Sequence, residues 1–300
     1  MKELLIVLLL VRGGFELPGQ QTSDKAFTCS LEEIALNEKK GAYMENLLVF
    51  RAGHQKGWFY FIHPAIPRYE PYLNLPGFQE VYAADSSLRS RAIIRSQTTY
   101  ELELPNDYDS TVRYPLLFIF HGGGSNMERV RHHWHHQILE RDYIRIYLQS
   151  YQHTDYASFT WHSGDPRSDR DLRLLFDRLN IQYAIDTSRV LVAGISAGAN
   201  YALAMALRGV LPVQGLIAYC PGFPLSLRDR KDFTGLRTKL RIFCLGGELD
   251  FYREQQVELC RSFDRSAIVY RYILVDGMKH QYPDQESIYL GKALKFLSTL

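Results

Sequence analysis

The feature that most constrains the fold is a series of six short apolar runs after residue 113, separated by segments with helical periodicity. The first run, YPLLFIF at residues 114–120, is apolar throughout, which is typical of a strand buried on both faces of a sheet. Similar runs occupy residues 144–148, 189–193, 213–219, 240–245 and 269–275. Strands separated by helices need crossover connections, so the sequence predicts an α/β fold: a mostly parallel central sheet covered by helices on both faces.

Helical segments are predicted between and after the apolar runs, at residues 129–141, 169–183, 197–208, 251–262 and 284–298.

The chain as a whole divides near residue 90. Residues 92–104 alternate apolar and polar side chains, which predicts one or two antiparallel strands. Before them, residues 22–48 have helical spacing and a short helix is expected at 76–84. We therefore predict a small, mainly helical N-terminal segment of unknown role, residues 1–90, and a second domain, residues 91–300.

Charge and cysteine content exclude several classes of protein. The 35 basic and 33 acidic residues give a formal net charge of +2, so nothing indicates a nucleic acid partner. Four widely scattered cysteines, without a C-x-x-C pair, argue against a zinc ribbon and a disulfide framework, and we interpret them as reduced, structural thiols: Cys29, Cys220, Cys244 and Cys260.

The first eleven residues decide the expected location of the protein. Eight apolar residues follow Lys2 and Glu3, far fewer than the roughly 20 of a membrane-spanning helix. No integral membrane segment is therefore expected. We predict a cytoplasmic protein, and export through a weak N-terminal signal at residues 1–11 is the alternative.

The most informative motif is Gly194-Ile-Ser-Ala-Gly198, which follows the strand RVLVA and precedes the helix ANYALAMAL. Strand before and helix after is the context in which G-x-S-x-G forms a very tight turn. The glycines leave room for this turn, which would lift the Ser196 hydroxyl clear of the sheet at the positive end of a helix. We predict that Ser196 is a nucleophile. An ordinary glycine-rich helix start is the alternative.

A second motif, His121-Gly-Gly-Gly124, follows the strand at 114–120 directly. Glycines there let backbone N–H groups approach a ligand and donate to a developing oxyanion. We predict the amides of Gly123 and Ala197 as the two donors, and we place His121, Gly122 and Gly124 among the residues that contact substrate. His121 is expected to orient the loop rather than to catalyse, and a plain glycine-rich turn is the alternative for the whole motif.

A serine hydroxyl needs a base, and the base needs a carboxylate that orients it. Both are expected after later strands. The strand at 240–245 is followed by Asp250, with Glu248 as a rival, and the strand at 269–275 is followed by His280, with Asp276 as a second rival. The predicted order is therefore serine, aspartate, histidine, with Asp250 and His280 as the partners of the nucleophile.

Two clusters of aromatic side chains are further candidate sites. Trp161 precedes the predicted helix at 169–183 and could form a wall for the substrate or belong to the core. The segment His132-His-Trp-His-His136 would place three imidazoles on one face of a helix. No nearby carboxylate or cysteine completes a metal site there. We predict no metal and no cofactor, and a solvated helix at this position.

Residues 92–300 resemble the α/β-hydrolases with a serine triad. YIRIYLQSYQ, FTWHSGD and LLFDRLNIQYAIDTSRVLVAGISAGAN are similar to the phospholipase/carboxylesterase group and its feruloyl-esterase and polyhydroxybutyrate-depolymerase relatives. HGGG is instead similar to hormone-sensitive-lipase-type esterases, and Ile195 and Ala197 differ from the residues that often flank the serine. The resemblance implies an α/β-hydrolase fold, Ser196 as nucleophile with Asp250 and His280, and the HGGG loop as oxyanion hole.

Together these observations predict a serine esterase that cleaves small-molecule carboxylic esters through an acyl-enzyme. Two alternatives remain open at this stage: a peptidase or amidase with the same triad, and a catalytically inactive binding protein with a hydrolase fold. The identity of the ester is not predicted, and a homodimer is left open.

Overall fold

The computed structural model describes residues 20–230, 232–236 and 240–298, and the chain forms two compact units that divide between Ala92 and Ile93. Residues 1–11, which carry the alternative of export, lie outside the described residues. Among the described residues, no helix combines the length and the apolar composition that crossing a bilayer requires.

The first unit consists of helices around an aromatic core. Among its described residues the α-helices are α1 (Gln20–Lys39), α2 (Tyr43–Gln55) and α3 (Phe78–Arg95), which continues past Ala92, and a 3-10 helix covers Pro67–Tyr72. The residues at 22–48, which were expected to be helical, belong to two helices, because the chain turns where the N–H of Ala42 donates to the carbonyl of Asn37. Phe27, Phe50 and Tyr72 are almost fully buried, so many of the aromatic residues of this unit are core.

The second unit contains a seven-stranded sheet with the order β1-β3-β2-β6-β7-β8-β9. The strands of the chain are β1 (Thr99–Glu103), β2 (Tyr114–Phe120), β3 (Ile144–Gln149), β4 (Gln152–His153), β5 (Phe159–Thr160), β6 (Ile185–Ile195), β7 (Val213–Tyr219), β8 (Arg241–Gly247) and β9 (Val269–Val275). Only β1 pairs antiparallel in this sheet, with β3; β4 and β5 form a separate small ribbon. The predicted mostly parallel sheet is confirmed.

Helices connect the parallel strands and cover both faces of the sheet. They are α4 (Met127–Arg131), α5 (Gln137–Asp142), α6 (Pro166–Gln182), α7 (Ala197–Leu207), α8 (Arg253–Arg265) and α9 (Glu286–Leu297). Successive residues of β2 enter opposite cores: Leu116 and Phe118 pack with α6 and α7, whereas Leu117 and Ile119 pack with α9. Burial on both faces explains why the apolar runs are continuous rather than alternating.

The helix expected at 129–141 is instead two short helices, and this corrects the prediction of a solvated helix at His132–His136. Trp134, between them, has a φ of 66° and is fully buried, which is incompatible with a continuous helix. The imidazole of His136 begins the next helix by accepting from the N–H of Ile138. The five residues therefore form a turn that inserts a tryptophan into the core.

Candidate active site

The tight turn at Ser196 joins the end of β6 to the start of α7. Ser196 has φ 54° and ψ −122°, a conformation that is costly for a residue with a side chain. Its N–H donates to the carbonyl of Tyr219 at the end of β7, at 2.9 Å. A Cβ on Gly198 would collide with the carbonyl oxygens of Phe120 and His121, and one on Gly194 would lie 2.8 Å from the Gly198 carbonyl carbon. Both glycines are therefore required by this packing.

His280 and Asp250 meet the serine in one chain of hydrogen bonds. His280 Nε2 lies 2.8 Å from Ser196 Oγ, and His280 Nδ1 lies 2.9 Å from Asp250 Oδ1. An ionised carboxylate can only accept, so Nδ1 carries the hydrogen and Nε2 is left to accept from the hydroxyl. The loops after β6, β8 and β9 thus bring together three side chains that are distant in the sequence.

Asp250 is buried and held by several donors. The N–H of Tyr252 donates to Oδ1 at 2.8 Å and Gln256 Nε2 donates to Oδ2 at 2.9 Å. Burial by itself would raise the pKa of Asp250, but the hydrogen bonds from Tyr252, His280 and Cys220 outweigh it and hold the pKa below its ordinary value. The carboxylate is therefore ionised at neutral pH.

The two rival carboxylates, Glu248 and Asp276, are both exposed to solvent. Glu248 is exposed, and its Oε2 accepts from the N–H of Gly277 at 2.9 Å. Asp276 is also exposed. Asp250 is the one of the three candidates that forms a hydrogen bond with His280.

Gln256 and Cys220 are neighbours of Asp250 that the sequence analysis did not identify. Gln256 is 1% exposed, and its Oε1 accepts from the Tyr272 hydroxyl at 2.9 Å, so the amide is fixed at both ends. Burial and the carboxylate of Asp250 raise the pKa of the Cys220 thiol to about 12, so this sulfur is a neutral thiol at neutral pH. Gln256 comes from a turn of α8 and Cys220 from the end of β7, and no local motif marks either residue.

The loop after β2 brings Gly123 beside Ala197. A Cβ on Gly123 would lie 3.4 Å from that of Ala197, and Gly123 is exposed. Within the part of the chain that the structure describes, no acceptor is hydrogen bonded to the N–H of Gly123, whereas the N–H of Gly124 donates to Phe159. Ala197 occupies the first position of α7, where N–H groups have no intrahelical acceptor. Two available amides therefore lie close to Ser196.

His121 holds this loop from inside the protein. It is fully buried, and burial lowers its pKa to about 4. Its Nε2 accepts from the N–H of Ser150 at 3.3 Å, so Nδ1 carries the hydrogen and donates to the carbonyl of Gly122 at 2.7 Å. In a trans peptide the carbonyl and the following N–H point in opposite directions. Fixing the carbonyl of Gly122 therefore fixes the direction of the Gly123 N–H.

Trp161 lies behind the loop, in the core. It is 3% exposed, and its ring packs against Phe120 and Tyr201 with ring centroids 5.1 and 5.2 Å away. The His121 ring lies 5.5 Å from it. Of the two interpretations of Trp161, this position favours the structural one, while a direct contact with substrate stays a prediction, as it does for His121, Gly122 and Gly124.

The histidines at 132–136 have separate partners rather than a shared centre. His133 Nδ1 lies 2.8 Å from Glu286 Oε2, and its ring stacks on Tyr282 at 3.5 Å. His135 Nε2 lies 2.8 Å from the carbonyl oxygen of Arg131. In the described ranges, the one group of three potential metal ligands is Cys220, Asp250 and His280, where Nδ1 of the histidine is already used and the thiol is protonated. These residues do not suit a metal ion.

Comparisons with known proteins identify structures with a similar fold. No family model matches the chain, and no curated protein matches it. Among solved structures, an uncharacterized protein from Bacillus cereus ATCC 10987 matches with a TM-score of 0.56 and 21% identity, over 88% of this chain and 85% of its own. A ferulic acid esterase matches with a TM-score of 0.53 and 13% identity, over 69% and 95%. A Bacillus cereus carboxylesterase gives 0.51 and 15%, over 70% and 98%.

These identities are low, and the likeness is one of fold. The chain has the α/β-hydrolase fold, and the resemblance seen in the sequence is confirmed at that level. The first of the three matches covers more of the chain than the second compact unit contains, so it extends into the residues before Ile93.

Proposed function

We propose that this protein is a serine hydrolase that cleaves carboxylic esters through an acyl-enzyme. The observation that carries the proposal is the hydrogen-bonded chain from Asp250 through His280 to the hydroxyl of Ser196, which ends beside two available amides. The esterases among the structures of similar fold support ester hydrolysis as the class of reaction.

In the first half of the reaction, His280 Nε2 removes the proton of Ser196 as Oγ attacks the ester carbonyl carbon. The carbonyl oxygen becomes an oxyanion, which accepts from the N–H groups of Gly123 and Ala197. His280 then gives its proton to the alkoxide oxygen as the carbon–oxygen bond breaks. The alcohol leaves, and the acyl group remains on Ser196.

In the second half, a water molecule replaces the alcohol. His280 Nε2 takes a proton from the water as its oxygen attacks the acyl carbon, and the same two amides hold the new oxyanion. Collapse returns the proton from His280 to Ser196 Oγ and releases the carboxylic acid. Through both halves, Asp250 keeps the hydrogen on Nδ1 and stabilises the imidazolium.

The test is the Ser196→Ala variant, assayed on p-nitrophenyl acetate and labelled with a fluorophosphonate. We expect turnover to fall by several powers of ten and labelling to disappear. Ser188→Ala is the matched control, because Ser188 is exposed at the opposite end of β6 and its hydroxyl bonds Asp186. Retained turnover in Ser196→Ala would refute the proposal.

Two further outcomes separate the proposal from its alternatives. A p-nitroanilide with the same acyl group should be hydrolysed much more slowly than the ester, and a preference for the anilide would indicate a peptidase or amidase. Folded wild-type protein that neither turns over the ester nor accepts the label would indicate a binding protein.

A further inference from the structure

Phe251 is a large apolar side chain left in solvent directly beside the candidate base. It follows Asp250 in the sequence, and it is 70% exposed. Leu249, on the other side of Asp250, is 59% exposed. Single exposed apolar residues are common on protein surfaces, so exposure alone indicates nothing.

What distinguishes Phe251 is the surface on which its ring lies. The ring centroid is 4.2 Å from that of His280, with the two planes inclined at 34°. Tyr252 borders the same imidazole, with ring centroids 5.3 Å apart. One face of the phenyl ring is therefore in contact with the catalytic histidine loop, and the side chain extends from there into solvent.

The backbone holds this ring in place. The N–H of Leu249 donates to the carbonyl of Met278 at 2.9 Å, and the N–H of Arg253 donates to the carbonyl of Asp250 at 3.0 Å. The N–H of Tyr252 donates to the side chain of Asp250 at 2.8 Å. The backbone on both sides of Phe251 is thus held, and one of these bonds also holds the carboxylate, so little backbone ordering is needed when a ligand packs on the ring.

The proposed reaction determines which part of a bound ester lies near the ring of Phe251. The oxyanion is directed to the amides of Gly123 and Ala197, while the alcohol oxygen must reach the proton on His280 Nε2. The group attached to that oxygen is therefore on the His280 side of the site. The acyl group is bonded to the carbonyl carbon and not to that oxygen, so the alcohol group is the part of the ester nearer to His280, whose ring Phe251 contacts.

From this geometry we propose that Phe251 forms an apolar platform for the alcohol part of the ester, and that the protein prefers esters of aromatic or bulky apolar alcohols to those of small alcohols. The inference rests on the proposed function, because it uses His280 as the group that protonates the leaving oxygen. It adds to that function the substrate class and the residue that selects it.

The experiment compares benzyl acetate with ethyl acetate, and ethyl butyrate with ethyl acetate, in wild type and in Phe251→Ala. We expect the ratio of kcat/KM for benzyl acetate to that for ethyl acetate to fall about tenfold in the variant, mainly through KM. The ratio of the two ethyl esters, which differ in the acyl part, should change far less. Phe251→Leu, which keeps an apolar contact, should give an intermediate ratio.

Ile181→Ala is the matched control, because Ile181 is 86% exposed near the end of α6 and should leave both ratios at their wild-type values. An equal loss on all three esters, together with slower fluorophosphonate labelling, would mean that Phe251 only positions His280, and this would overturn the inference. A larger change along the acyl series than along the alcohol series would overturn it too. Wild-type protein without Ser196-dependent hydrolysis of any ester would instead refute the proposed function itself.

Discussion

Two loops near Ser196, one after β2 and one after β9, each carry a histidine, and the two imidazole rings have different surroundings. His121 is completely buried, and its Nδ1–H donates to a backbone carbonyl. The side chain of His280 is 17% exposed, and its Nδ1–H donates to the carboxylate of Asp250. Both rings therefore have the same tautomer, but only one of them faces an anion.

The comparison indicates that the partner and the burial of a histidine bear on its chemistry. A carboxylate stabilises the imidazolium that forms when His280 takes a proton. His121 has no such partner, and its Nε2 already accepts from the N–H of Ser150, which could not face a second donor. His121 thus holds a peptide group in position, whereas the proposed function assigns the proton transfers to His280.

The largest expected effect comes from removing the proton-exchanging member of the pair. His280→Gln should lower kcat/KM on p-nitrophenyl acetate by about 10⁴-fold, because His280 is the base that is hydrogen bonded to Ser196 Oγ among the described residues. Urea unfolding of the variant checks that the loss of activity does not come from a failure to fold. His135→Gln is the control, because the side chain of His135 is 54% exposed and it should keep wild-type activity. If His280→Gln kept activity within tenfold of wild type, the difference in role between His280 and His121 would be contradicted.

The second effect is on stability, and it concerns the buried histidine. The pKa of His121 is about 4 in the folded protein and 6.5 for an ordinary histidine, so the unfolded chain binds more protons between these values. The contribution of neutral His121 is therefore complete above pH 6.5 and is lost as the pH falls towards 4. This loss amounts to at most about 3 kcal/mol.

Urea unfolding of wild type and His121→Leu at several pH values measures this contribution. The wild-type curve should fall more steeply than that of the variant between pH 6.5 and 4, because leucine binds no proton in either state. Parallel curves would show that His121 takes up its proton as easily in the folded protein as in the unfolded chain, and would remove the basis of the comparison.

A smaller effect is expected on turnover when the buried histidine is replaced. His121→Leu should lower kcat by about 10- to 100-fold with little change in KM, because the Gly122–Gly123 peptide loses its hold while the amide itself remains. Complete removal of an oxyanion donor typically lowers kcat by 10²–10³-fold. The loss expected for His121→Leu is smaller, because the donor itself stays. His121→Gln, whose amide can donate to the Gly122 carbonyl, should recover part of the loss. An unchanged kcat in His121→Leu would mean that the loop keeps its shape unaided.

The smallest effect concerns the support of Asp250. Gln256→Met should lower kcat severalfold, because the carboxylate keeps the N–H of Tyr252 and loses one side-chain donor. Tyr272→Phe removes the hydroxyl that fixes the amide of Gln256, so it should change kcat in the same direction and by less. A larger loss in Tyr272→Phe than in Gln256→Met would contradict this order of support.

Local patterns in the sequence predicted the fold and the turn at Ser196. Continuous apolar runs predicted the parallel strands, because a strand buried on both faces needs them, and the glycines around Ser196 marked a turn with no room for side chains. The segment at 132–136 misled the same reasoning, since helical spacing of its histidines hid a tryptophan whose burial breaks the helix. Helical periodicity alone gives no signal for such a tertiary contact.

The sequence by itself determined the succession of the parallel strands along the chain, and it limited the candidate site to loops at one edge of the sheet. Only the tertiary structure decided that Asp250, rather than Glu248 or Asp276, contacts His280, that Gln256 supports that carboxylate, and that His121 is buried. The physical reason is that local patterns record the environment of a residue along its own strand or helix. Contacts between loops depend on how separate elements pack, and no single stretch of the chain encodes that packing.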